Sequence, residues 1–330
     1  MTTIKDHVIH LGNDGLLKQE GISDWRTTPD ELREMINVTM PAVMRDWPRK
    51  RVAFYAHGGM NDSQSGMDHA AVWRKTFLDA QIYPIFFIWR SGFFDSLANA
   101  LAEMITRSAR EQMDDWLEQA GRPPVKPIWD EMKENALLAS AQPQGGARQT
   151  AQLLGQNGQA AGWEFHLVGH SAGGILLAPF AQLLACKAIG DGPLAGETGY
   201  GLGIKTAALW APGITSDFFK RTYISLLRQN ALQKLRLYTL SDEAERKDTL
   251  RQVYSKSILY YVSNALEEVP RWDADDGCSI VGMAKFADHD PEIAQCVAEG
   301  HIHRVTSPLT EHLAFSRDPV TLAETIDAMW

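Results

Sequence analysis

Cysteine is scarce in this chain: Cys186, Cys278 and Cys296 are widely spaced and odd in number. That pattern argues against a disulfide framework and for packed, reduced thiols in a cytoplasmic protein. The first twelve residues carry charges and no apolar stretch resembling a signal peptide. No apolar run approaches the eighteen or so residues of a transmembrane helix, so membrane insertion is not expected. Excess positive charge is missing too. The formal net charge of −9 disfavours nucleic acid or an anionic membrane surface as main partner, because both would repel it. Hydrophobic content of 45 % and charged content of 22 % are ordinary for a soluble globular protein.

What the chain does have is Gly169-His170-Ser171-Ala172-Gly173 at a change of pattern. Trp163 to Val168 reads as a short buried strand, and Ile175 to Ala185 as an apolar helix. A serine between them sits on a sharp, strained turn, and glycines two residues to either side let strand and helix approach closely. The hydroxyl then projects above the sheet edge. The Ala172 amide at the helix start points at a developing oxyanion.

A second signal lies upstream, where the strand-like run Arg51 to Ala56 ends in His57-Gly58-Gly59. Glycines there leave backbone uncovered, so Gly59 is the expected second oxyanion donor, with Met60 as the alternative. The competing reading is a turn that uses glycine only to leave a strand. His57 is expected to brace the loop.

With HGG at 57–59, GHSAG at 169–173 and the strand-Ala-Pro segment Ala207 to Pro212, the chain resembles the α/β-hydrolase superfamily of serine esterases, lipases and peptidases. The resemblance covers nearly the whole chain and says little about substrate. It implies an α/β fold, a mostly parallel central sheet flanked by helices, and the chain order serine, acid, histidine.

The alternation of elements agrees. Strands are expected at Asp6–Leu11, 51–56, Ile82–Trp89, 163–168, 204–210 and Lys234–Leu240, with two late candidates at Ile280–Ala284 and Ile302–Thr306. Helices are expected at Pro29–Arg45 (opened by Thr28), Met67–Ala80, 173–187 and Lys256–Glu267. Such alternation implies a single domain over 1–330 with right-handed crossovers. The stretch from Trp89 to Trp163 far exceeds the roughly dozen residues a crossover needs. Residues 91–146 therefore read as a helical cap, broken at Gly121 to Pro127, with Leu97, Leu101, Met104 and Ile105 on one apolar stripe. A helical pair packed on the sheet flank is the plainer alternative. If the stripe lines the pocket, Met60 and Met104 touch substrate.

A serine hydroxyl needs a histidine to take its proton and an acid to fix that histidine. His289, His301, His303 and His312 follow the plausible acids. His312 is the choice, because it lies in a loop after the last strand and before a helix opened by Asp318-Pro319, the place where the resemblance to the α/β-hydrolases implies the histidine. Asp242 is the first acid after the strand at 234–240, with Asp248, Glu243, Glu245 and Asp217 as alternatives. His301 and His303, at i, i+2 on a strand, suggest a metal pair, but the spacing lacks a recognised ligand pattern and they read as rim residues. The expectation is a serine hydrolase without metal or cofactor that cleaves an apolar acyl ester. Peptidase, thioesterase and acyltransferase chemistry use the same parts. A non-catalytic binding protein on a hydrolase scaffold is the alternative of another class.

Overall fold

The computed structural model describes the chain apart from residues 1, 22, 59–62, 90–96, 98, 101–112, 251–252 and 274–276. Seven strands form one sheet in the order β1-β3-β2-β4-β5-β6-β7, every pair parallel. They are β1 (Val8–Leu11), β2 (Arg51–Ala56), β3 (Ile82–Trp89), β4 (Glu164–His170), β5 (Ile204–Trp210), β6 (Leu232–Thr239) and β7 (Ile302–Thr306). The expected bounds at 51–56, 82–89, 204–210 and 302–306 are those observed. β2 and β3 are buried at every position, as strands covered on both faces must be. Pro84 is tolerated in β3 because β1 pairs only with Phe86 to Trp89, so no ladder partner meets its missing N–H on that side.

Helices follow the same logic. α1 (Pro29–Glu34) is opened by Thr28 in a reciprocal capping box with Glu31, with Pro29 in the first turn. The helix then continues through a π turn at Met35–Thr39 to Met44. α2 (Ser63–Asp79) follows β2, and α4 (Gly146–Gln156) leads into β4. α5 (Gly173–Ala185) follows β4 and is buried along its whole length. Among the described residues no helix is long and apolar enough to cross a membrane.

Three expected elements differ. The break at Gly121 to Pro127 is absent: α3 (Met113–Ala141) runs unbroken through Pro123, Pro124 and Pro127. Each proline removes an intrahelical bond, and tertiary anchoring offsets the loss. Arg122 donates to the carbonyls of Ala265 and Glu267, Trp129 Nε1 to Glu267 at 2.8 Å, and buried Glu118 accepts from Tyr254, Asn264 and Arg271. Ile280–Ala284 is not a strand, since only single bridges join Thr215 to Ile280 and Leu240 to Met283. Likewise, the helix expected at Lys256–Glu267 starts at Ile258 and ends as a π turn, Val262–Leu266. Of the expected apolar stripe, Leu101, Met104 and Ile105 lie outside the described residues, while Leu97 is fully buried.

Candidate active site

Ser171 immediately follows β4 with φ +52°, in the left-handed region, which costs a non-glycine residue roughly 1–2 kcal/mol. Two bonds hold it there. Its amide donates to the Trp210 carbonyl on β5 at 2.9 Å, and its carbonyl accepts from Gly174 at 3.1 Å. Ala172 is the N-cap residue of α5, so its amide belongs to the first turn, where N–H groups have no intrahelical acceptor.

Close approach of the neighbouring strand explains two glycines. A Cβ on Gly173 would stand 2.1 Å from the Ala56 carbonyl oxygen, so no other residue lets α5 start against β2. A Cβ on Gly58 would stand 2.9 Å from Ser171 Cβ and 3.2 Å from His170 Nδ1. The loop after β2 therefore passes directly over the serine turn. Gly59 and Met60 lie outside the described residues.

Histidines converge around the turn. His312 opens a 3₁₀ turn, His312–Ser316, and is buried. Its ring lies 5.2 Å from the His170 ring at 32°, and His170 Nε2 meets the His312 carbonyl at 3.3 Å. Burial lowers the His312 pKa to about 3 and drives that of His170 well below its usual range, with His312, His69 and His57 adding repulsion at His170. Neither ring nitrogen of His312 has a hydrogen-bond partner among the described residues. His57 braces its loop, as expected: its Nδ1 meets the Gly58 carbonyl at 2.9 Å, and its Nε2 and carbonyl take the two Trp89 N–H groups.

The carboxylates are arranged differently from the expectation. Asp242 starts the short helix α6 (Asp242–Lys247) and is engaged elsewhere, accepting from Arg246 at 2.7 Å and from the Tyr260 hydroxyl. Partial burial raises its pKa, but those two hydrogen bonds outweigh it and the net shift is downward. Asp248, just past α6, is the carboxylate at the histidine segment: its Oδ2 accepts the His312 backbone amide at 2.9 Å and its Oδ1 accepts the Thr249 amide at 2.7 Å. Burial raises the Asp248 pKa. Glu243 pairs with Lys247 and Asp217 lies 3.8 Å from Arg221, both largely exposed. Glu245 is fully buried, and neither of its oxygens has a hydrogen-bond partner among the described residues.

Beside the turn is an apolar cavity of about 280 Å³, walled by Leu137, Ile175, Gly213, Ile214 and Phe218, with Lys133 and Glu267 also on its lining. Gly213 links it to the serine, because a Cβ there would stand 3.8 Å from the Ala172 nitrogen and 3.6 Å from the Trp129 ring. Sequence reasoning missed this wall: Gly213 belongs to the run after β5, but nothing in the pattern tells which residues of α3 face it. It also missed His170, whose position inside GHSAG was the available signal.

Fold and site together define the class: an α/β protein with an all-parallel seven-stranded sheet and a strained serine between a central strand and a buried helix. Compared with known protein families, with curated proteins and with solved structures, the chain matches none. Among the described residues no group of histidine, cysteine or acidic side chains has the arrangement to hold a metal ion.

Proposed function

We propose that the protein is a serine hydrolase that cleaves an ester-type acyl bond. The observation that carries this reading is the positive φ of Ser171 at the sharp strand-to-helix turn, with Ala172 opening α5 behind it. A residue held in a sparsely populated conformation by a crowded backbone is a common mark of a functional position. Ser171 Oγ attacks the acyl carbonyl carbon, and its proton passes to His312. The Ala172 amide and Gly59 stabilise the oxyanion. Collapse expels the leaving alkoxide, which takes the proton from His312, and water then hydrolyses the acyl-enzyme by the same route. His312 and Ser171 are not hydrogen-bonded in the structure, so substrate binding completes their contact; such bonds are often formed only in the reacting complex.

Asp248 replaces Asp242 in this reading as the acid that supports His312, because it is bonded to the His312 segment. The apolar cavity beside Gly213 receives the acyl group, which favours a carboxylesterase over a peptidase. The three cysteines, all free thiols, fit the cytoplasm as the working compartment. Labelling with a fluorophosphonate probe tests the proposal. Wild-type protein becomes covalently modified at Ser171 and Ser171→Ala does not; equal or absent labelling of both would leave a binding protein on this scaffold as the better reading.

A further inference from the structure

A second cavity opens on the sheet at the opposite end of the strands from Ser171. It measures about 240 Å³ and is lined by Thr206, Lys234, Arg236, His301, His303 and Thr325 among other residues. The register explains why these side chains meet. Thr206 pairs with Lys234, Ala208 with Arg236, and Arg236 with His303, so all share one face of β5, β6 and β7. His301, two residues before His303, points the same way. The final helix (Pro319–Asp327) closes the cavity over that face, tied down by the Trp210 Nε1 bond to Thr325 Oγ1 at 3.1 Å. Since Thr325 accepts there, its own hydroxyl proton is available to a ligand.

The lining carries four basic or imidazole side chains and no carboxylate, in a protein whose net charge is −9. Glu299, which does not line the cavity, reaches His301 Nδ1 at 3.5 Å, and Lys234 donates to the Gly300 carbonyl at 2.7 Å. The Arg236 guanidinium makes no hydrogen bond or ion pair to any described residue, although its neighbour Arg304 pairs with Asp288. Thr206 Oγ1 is taken up by the His166 ring, whose Nδ1 lies 2.8 Å away, but a planar fork of donors, an ammonium, the Thr325 hydroxyl and two imidazoles around one hollow exceed what a single carboxylate can use and suit a tetrahedral oxyanion.

We infer that this cavity binds a phosphoryl group, either as free phosphate or as part of a small phosphorylated molecule. Arg236 holds it through two N–H groups, and Lys234, the imidazoles and the Thr325 hydroxyl complete the shell. The site lies about 16 Å from Ser171, judged from five residues along β4 between His166, which neighbours Thr206, and the serine turn. It stands whether or not Ser171 is a nucleophile.

Calorimetric titration of the whole protein with inorganic phosphate, pyrophosphate and succinate tests it. Saturable one-site binding of phosphate or pyrophosphate is expected, with tighter binding of pyrophosphate marking a phosphorylated molecule as the natural occupant. Arg236→Gln is expected to weaken it by about tenfold or more, with Lys234→Gln smaller. Melting curves without ligand check that both variants remain folded. Undetectable binding of both phosphate and pyrophosphate at millimolar concentration, equal binding by a folded Arg236→Gln protein, or binding of succinate alone overturns the inference.

Discussion

Asp248 touches His312 at the backbone and not at the ring: its Oδ2 accepts the His312 amide at 2.9 Å, while the imidazole nitrogens have no partner among the described residues. The carboxylate therefore fixes where the histidine segment starts. Asp248→Ala is expected to lower the hydrolytic kcat by about a hundredfold, the usual scale for misplacing a reacting group by an ångström. Asp242→Ala, which removes a half-exposed pair with Arg246, should alter it less than about threefold. Steady-state kinetics on a p-nitrophenyl ester separates the two; a dead Asp242→Ala with an active Asp248→Ala would reverse the assignment.

Gly173 gives a sharper steric test. Because a Cβ there meets the Ala56 carbonyl at 2.1 Å, Gly173→Ala forces α5 away from β2 and drags the serine turn with it. Overpacking of this kind costs about 1–3 kcal/mol or more. A lower melting temperature together with lost probe labelling is expected, and an undisturbed Tm would show that the turn has slack the geometry does not reveal.

Burial of uncharged histidine makes the fold acid-sensitive. Burial lowers the pKa of His7 and His10 to about 4 and those of His166 and His312 to about 3, and His170 lies well below its normal value. Each is neutral when folded and takes a proton when unfolded. Their stabilising effect is complete above the unfolded pKa of about 6.5 and declines as pH falls toward the folded values, by about 1.4 kcal/mol per pH unit for each fully responding group. Cooperative unfolding in the range between pH 6.5 and 4 is expected by circular dichroism. Retention of the fold at pH 3.5 would mean that these rings accept protons in place.

The opposite sign applies to Glu245. Burial raises its pKa to about 8, against the pull of the nearby Ser257 hydroxyl and with Asp248 and Asp242 adding repulsion. Its folded pKa exceeds the unfolded one, so stability is fullest below about pH 4.5 and declines as pH climbs toward 8. Glu245→Gln should flatten that decline and be the more stable protein at pH 9. Parallel pH-stability curves for both proteins would show that Glu245 is not the titrating group.

Much of this fold was legible because its signals are local. The apolar runs at β2, β3, β5 and β7 are bounded by turn residues, Thr28 and Asp318 cap their helices, and GHSAG marks the junction of β4 and α5. The parts that misled are those decided at a distance. Prolines at 123, 124 and 127 predict a break, but Glu267 and Ala265, far along the chain, hold α3 together through Arg122 and Trp129. Chain order points to Asp242 as the first acid after β6, but the Tyr260 hydroxyl and Arg246 claim it, and only the packed position of the His312 segment brings Asp248 to that segment's backbone. The role of Met104 was tied to a stripe that lies outside the described residues.

Leu137 now offers the test of acyl selection that Met104 was expected to provide. It stands on α3 at the wall of the cavity that Gly213 joins to the Ala172 amide. The cavity is small, below the roughly 300–1,000 Å³ of typical drug-sized sites, so one added ring removes a large share of it. Each methylene of substrate buried in such a pocket contributes about 0.8 kcal/mol, which is roughly a fourfold change in kcat/KM per carbon. In the wild-type enzyme kcat/KM should therefore climb along a p-nitrophenyl ester series until the cavity is full. Leu137→Trp should move that ceiling to shorter acyl chains and leave acetate hydrolysis nearly unchanged, because the serine turn is not touched. Half-buried Leu137 is not part of the central core, so the Tm should shift little. If Leu137→Trp slows every ester equally, the cavity is not where the acyl chain goes; an unaltered chain-length profile would exclude it just as firmly.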